Sequence, residues 1–258
     1  MRTSVHVSQR AIAATLLGAA ILGTTAACGT SASSTSAAAN AMTSASASAQ
    51  ASGNPLAGMT ADQIATQATT DLKNVSSVHV TGRVTDSGQV ISLNLIMGTK
   101  GCRGTMGIKG EGSFSLLRIG KTVWIKPDDQ FWKSTAGSSA TPAVMQILAG
   151  KYIKPAAKDS SLGSIGAFCG VSQFAGFFSG STSGLVKDGT TTINGQTALR
   201  IKDTGDTAVA YVTLSARPEF LRLDGGSSGQ FDFTGYNTPL RLSPPPASET
   251  LDGAKYGF

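Results

Sequence analysis

Between residues 77 and 125 apolar side chains recur at every second position, in run after run, with only a few residues between runs. Val78, Val80 and Val84 alternate with His79, Thr81 and Arg83; Ile91, Leu93, Leu95 and Met97 alternate with Ser92 and Asn94. A period of two puts one set on one face of a β-strand and the other set on the opposite face. Asp86-Ser87-Gly88 separates these runs as a turn. Met106 with Ile108, Phe114 to Ile119, and Val123 with Ile125 mark three more strands, punctuated by Gly110, Gly112 and Gly120. Parallel neighbours would need crossovers of about a dozen residues or more, and these gaps are shorter. The stretch can only be an antiparallel meander with one buried face.

Helical signals flank it. Thr60 is an N-cap with Gln63 three residues on as a capping box, and Asp62 favours the positive end of the helix dipole. Ile64, Ala68, Leu72 and Val75 follow at helical spacing. Thr141-Pro142 reads as N-cap and N1, followed by Val144, Met145, Ile147 and Leu148, with Gly150 as the stop. A short helix is expected from Ser172 through Phe178, in a segment made apolar by Phe168, Phe174, Phe177 and Phe178. These rings either fill the core or form a lipid-contacting lid.

Strands return from Leu185. Ile193-Asn194-Gly195-Gln196 carries a hairpin turn, Leu199 with Ile201 and Ala208 to Leu214 are strands, and Phe220 to Leu223 pairs with Phe231 to Phe233 across Gly225–Gly229. Runs of strands and runs of helices without strand–helix alternation indicate an α+β fold with an antiparallel sheet. Phe131 and Trp132 close the first half as an aromatic pair, and Pro244-Pro245-Pro246 ends the regular structure.

The chain shows no catalytic machinery. There is no Gly-x-Ser-x-Gly, P-loop, dinucleotide fingerprint or His-rich metal spacing. His6 falls in the leader described below, which leaves His79, expected on the strand face opposite the valines. Asp203-Thr204-Gly205 matches the aspartic-protease triplet, but a single copy between two strands reads as a turn. No enzyme activity, cofactor or metal is expected. The net charge of +6 comes from few acidic groups, and the basic residues are not clustered into a nucleic-acid footprint.

Residues 1–10 carry Arg2 and Arg10, and residues 11–27 are apolar or small throughout, the pattern of a secretory signal peptide. An uncleaved signal anchor is the other reading, against which the short, Ala- and Thr-rich core argues. Thr25-Ala26-Ala27-Cys28-Gly29 resembles the lipobox of bacterial lipoproteins, whose cysteine is acylated and becomes the first mature residue; Thr25 stands where that pattern usually has Leu. Ordinary secretion with Cys28 as a spare thiol is the alternative. Residues 29–54 are nearly all Ser, Ala, Thr, Gly, Asn and Gln, without charge or aromatic rings. Such a run cannot bury enough apolar area to offset ordering and reads as a tether spanning roughly 25–30 Å as a coil. The expected organisation is a signal peptide over 1–27, lipidated Cys28 and tether over 28–54, and one folded domain over 55–258. Two cysteines remain, Cys102 and Cys169, an even number that suggests a disulfide in an exported domain, with two buried free thiols as the alternative.

The order of elements, with Ser77-Val78-His79-Val80-Thr81-Gly82 opening the first strand, then Val123-Trp124-Ile125-Lys126, Phe131-Trp132-Lys133, Ile193-Asn194-Gly195-Gln196 and Ala208-Val209-Ala210-Tyr211-Val212, resembles actinobacterial lipoproteins related to LppX and LprG, and more distantly the carrier LolA. The resemblance implies a sheet of about 9–11 strands curled into a half-barrel, with helices covering its concave face over a cavity for lipid chains. It also implies a location on the extracytoplasmic face of the cell membrane, through acylated Cys28. Candidate cavity residues are then Leu93, Leu95 and Met97 from the sheet and Val144, Met145, Leu148, Phe174 and Phe177 from the helices. The expected partner is a lipid or other hydrophobic ligand. A solidly packed domain that binds other envelope proteins is the second reading.

Overall fold

The computed structural model describes residues 54–156, 166–177 and 184–256. Cys28, the leader and nearly all of the expected tether lie outside the described residues, as does Phe178.

Twelve strands form one sheet: β1 (Ser77–Asp86), β2 (Gln89–Gly98), β3 (Gly101–Ile108), β4 (Gly112–Ile119), β5 (Thr122–Pro127), β6 (Tyr152–Lys154), β7 (Leu185–Ile193), β8 (Gln196–Asp203), β9 (Val209–Thr213), β10 (Phe220–Asp224), β11 (Gly229–Thr234) and β12 (Thr250–Asp252). Their order is β12-β6-β5-β4-β3-β2-β1-β11-β10-β9-β8-β7. Two sequential meanders, β1–β6 and β7–β11, are thus zipped together where β11 pairs antiparallel with β1, Val80 facing Phe233. The sheet is curled and stays open, with β12 and β7 at its edges. Every pairing is antiparallel except β12 with β6.

Local chemistry accounts for most of these elements. The β1–β2 and β7–β8 connections are two-residue hairpin turns with positive φ at both central residues, Ser87 (50°) with Gly88 (83°) and Asn194 (50°) with Gly195 (80°). Left-handed pairs of this kind match the twist of the strands they join. Helix α1 (Ala61–Asn74) begins with the complete capping box: Gln63 N–H donates to the Thr60 hydroxyl at 3.2 Å, and Thr60 N–H donates to the Gln63 side chain at 2.8 Å. Its apolar stripe Ile64, Ala65, Ala68 and Leu72 is buried. Helices α3 (Pro142–Leu148) and α4 (Val171–Phe177) lie where the sequence places them. Asp203-Thr204-Gly205 is a turn in which Gly205 N–H donates to the Asp203 carboxylate at 2.8 Å.

Phe131 and Trp132 belong to a helix, α2 (Asp129–Ala136), which the aromatic-pair reading leaves out. Asp128 caps it and ties it to β4, accepting from Phe131 N–H at 2.7 Å and from the Ser113 N–H and hydroxyl at 2.8 and 2.7 Å. The chain beyond Thr234 also continues past the expected end of regular structure. It forms a strap that binds the start of β1, with Asn237 N–H donating to Ser77 C=O at 2.9 Å and Ser77 Oγ donating to Thr238 C=O. It then runs across the outer face of the sheet and pairs at the far edge as β12. Tyr236 anchors its start: the phenol is buried and donates to Phe220 C=O at 2.8 Å, and burial pushes its pKa up.

The strand registers resolve the concave face into rows of side chains. Phe233, Val80, Leu95, Leu116, Ile125 and Ile153 lie in one register row across seven strands, with Gly104 at the β3 position, and these six side chains are essentially inaccessible. Beside them Val78, Met97 and Cys102 form a second solid row. These rows, with α1 against them, are the core. On the other side of the first row the interior opens.

Candidate functional site

The opening is an apolar cavity of about 630 Å³. Its floor is the next two rows of the sheet. Phe231, Leu93, Met106 and Phe114 form one, in register across β11, β2, β3 and β4; Val84, Ile91 and Ile108 form the other. Gly82 occupies the place in the first row where β1 would otherwise present a side chain. A Cβ there would lie 2.7 Å from a Phe231 ring carbon and 2.2 Å from the Gln230 carbonyl, so glycine lets that ring lie over β1.

The walls come from helices. Phe131 enters from α2, Phe168 from the 3-10 turn Gly166–Cys169, and Phe174 from α4. Aromatic edges join wall to floor: Phe114 meets Phe131 at 5.3 Å between centroids, and Phe174 meets Phe231 at 5.7 Å, both edge-on. Thr85 and Asp86, both exposed at the end of β1, supply the polar rim. A smaller recess of about 320 Å³ continues over β8–β10 between Leu185, Ile201, Ala210 and Leu223, and shares Val84 and Phe231 with the larger one.

Three ties position the walls. Cys169, at the end of the 3-10 turn, is disulfide-bonded to Cys102 of β3, with Cα atoms 5.1 Å apart. Arg118 of β4 donates to Gly166 C=O at 2.8 Å, fixing the beginning of the same turn. Asp128 holds α2. Its partial burial works against ionisation, but the Phe131 and Ser113 donors outweigh this and keep its carboxyl below the usual carboxylate range. Among the described residues that line the cavity Asp86, at the rim, is the one ionisable side chain, and among the described residues no group of His, Cys, Asp and Glu could hold a metal ion. His79 lies on the outer face of β1, its Nε2 2.7 Å from Asn94 Oδ1.

The sequence candidates distribute unevenly over this geometry. Leu93 and Phe174 line the cavity. Leu95 and Met97 lie on the same face but in the solid rows. Leu148 is buried in the core, Met145 packs partly against it, and Val144 is 38% exposed on α3. The side chain of Phe177 lies outside what is described. Phe168, one of the rings expected either to fill the core or to form a lipid-contacting lid, also lines the cavity, and Met106, Phe114, Phe131 and Phe231 do so without having been singled out for it; the alternation of β3 and β4 and the Asp128 cap were the signals available.

No protein-family profile matches the chain, and no curated protein matches it in sequence. Among solved structures it is similar to LprF from Mycobacterium bovis, at 13% identity over 72% of this chain and 96% of that one, with a TM-score of 0.48. It is also similar to an uncharacterised conserved protein from Thermus thermophilus (11% identity, 74% and 98% covered, TM-score 0.34) and to MucB (12% identity, 74% and 63% covered, TM-score 0.27). At these scores the likeness says nothing of ligand or location. No helix among the described residues is long and apolar enough to cross a membrane.

Proposed function

We propose that this protein is a non-catalytic binding module that holds an acyl chain or another hydrophobic ligand in its concave cavity, tethered through acylated Cys28 to the extracytoplasmic face of the cell membrane. The observation that carries the ligand is the cavity of about 630 Å³ itself, floored by aliphatic and aromatic strand residues and walled by phenylalanines. Its size lies within the range of about 300–1,000 Å³ typical of small-molecule sites. A site lined this way offers area and almost no directional polar contacts, which suits a hydrocarbon chain. Its rim, at Thr85 and Asp86, is where a polar headgroup would remain in water.

The full chain should be recovered with lipid bound, seen by native mass spectrometry, and should bind a fluorescent fatty acyl probe. Leu93→Trp, which fills the floor of the cavity, should weaken that probe at least tenfold. Wild-type protein that is ligand-free and ignores the probe would refute the reading whatever the variant does. The anchor is tested separately: Cys28→Ser should move the protein from the membrane fraction to the aqueous fraction. An unchanged distribution would leave the cavity standing and remove the lipid tether.

A further inference from the structure

The outer face of the sheet carries a second cleft, of about 430 Å³, opposite the hydrophobic cup. The strap roofs it. Arg241, Leu242 and Ser243 stand over the outward-facing Asn94 and Ile96 of β2, Arg103 of β3, Ser115 of β4 and Tyr152 of β6. The alternation that sends Leu95, Cys102 and Leu116 inward sends Asn94, Arg103 and Ser115 into this cleft.

Its electrostatics are one-sided. Two guanidinium groups and no carboxylate line it. The ion pairs among the described residues are Arg200 with Asp188 and Arg222 with Asp232, so neither Arg103 nor Arg241 is neutralised by an acid. A third cation, Lys126 Nζ, lies 5.3 Å from the centroid of the Tyr152 ring that lines the cleft. The remaining polar groups are hydroxyls and an amide, which can donate to an anion's other oxygens. Two arginines from different elements, one on the sheet and one on the strap, line the same cleft, and a guanidinium fork is suited to a tetrahedral oxyanion.

We propose that this cleft is a phosphate-binding site, with Arg103 and Arg241 as the charged donors. The phosphate is either a free inorganic ion or the phosphodiester of an anionic lipid headgroup; the recognition chemistry is the same. Binding would also close the strap on the sheet, because one donor belongs to each. The site shares no lining residue with the hydrophobic cavity and stands or falls independently of it.

The test uses the full chain at constant ionic strength. Calorimetric titration with inorganic phosphate should give saturable binding, and Arg103→Gln and Arg241→Gln should each weaken it roughly tenfold or more, as expected for loss of a charge-assisted hydrogen bond. Arg103→Lys, which keeps charge but loses the fork, should fall between. Arg83→Gln, an exposed arginine on the same face outside the cleft, should bind like wild type. With the anchor removed by Cys28→Ser, binding to vesicles of phosphatidylglycerol, absent with phosphatidylcholine and competed by inorganic phosphate, would assign the headgroup; phosphate binding without vesicle binding would assign the free ion. The proposal is overturned if wild type binds neither, or if Arg103→Gln with Arg241→Gln combined binds as wild type does while melting at the same temperature.

Discussion

Asp128 shows how one side chain governs a wall of the candidate site. Its carboxylate satisfies the first turn of α2 and the edge of β4 together, and Phe131, the residue whose N–H it accepts, is the one that enters the cavity. Asp128→Ala should cost about 1–2 kcal/mol at neutral pH, the range for loss of a helix cap, measured by denaturant unfolding. The pH dependence has a fixed sign. Because the folded carboxyl titrates below its unfolded value of 3.8, the contribution is fully present above that value and is lost as pH falls through the lower folded pKa. The gap between wild type and variant should therefore hold from neutral pH down to about pH 4 and narrow only below it. A gap that is already absent at neutral pH would show that the cap does not stabilise the helix.

At the scale of elements, what was legible in the sequence is what is decided locally. The capping box at Thr60 and Gln63, the Asn194-Gly195 turn and the period of two through β1–β5 each specify structure within a few residues, and the fold shows all of them. β6 and β12 are three residues long; β6 pairs with β5 at Ile125 and Ile153, and β12 forms where the strap brings Thr250–Asp252 beside Tyr152–Lys154, pairings with no local pattern. The strap is held by contacts such as Ser76 N–H to Asn237 Oδ1, 161 residues apart in sequence, and by Lys151 donating to Ser248 C=O. α2 falls between these cases: its Asp128 cap is visible, but eight residues give too short a period to set against the strand pattern before it. The site was legible to the level of a face and no further. Leu93, Leu95 and Met97 are equivalent in pattern, and only the rows that oppose them decide that Leu93 borders space while the other two are packed solid.

For the whole molecule, the open sheet raises the question of what keeps a cavity from collapsing or spilling open. The floor is rigid, being five strands of continuous ladder from β11 through β4. Part of the wall is short: α4 is seven residues and the 3-10 turn before it four, too few to be stable as isolated helices. Their covalent tie spans 67 residues, from Cys102 in the floor to Cys169 in the wall, and both cysteines are fully buried. A loop of that length corresponds to about 4 kcal/mol of unfolded-state entropy. Replacing both cysteines, as Cys102→Ser with Cys169→Ser, should lower stability by about that amount. It should do so unevenly, because the short wall then rests on non-covalent ties, among them Arg118, the Phe174–Phe231 contact and the packing of α4 against α1. Amide exchange in 166–177 should accelerate first, while β2 and β3 stay protected until global unfolding. Affinity for an acyl probe should fall with it, since the wall carries Phe168 and Phe174. If 166–177 instead exchanges as in wild type and probe binding is unchanged, the bridge serves the stability of the fold and the wall stands without it.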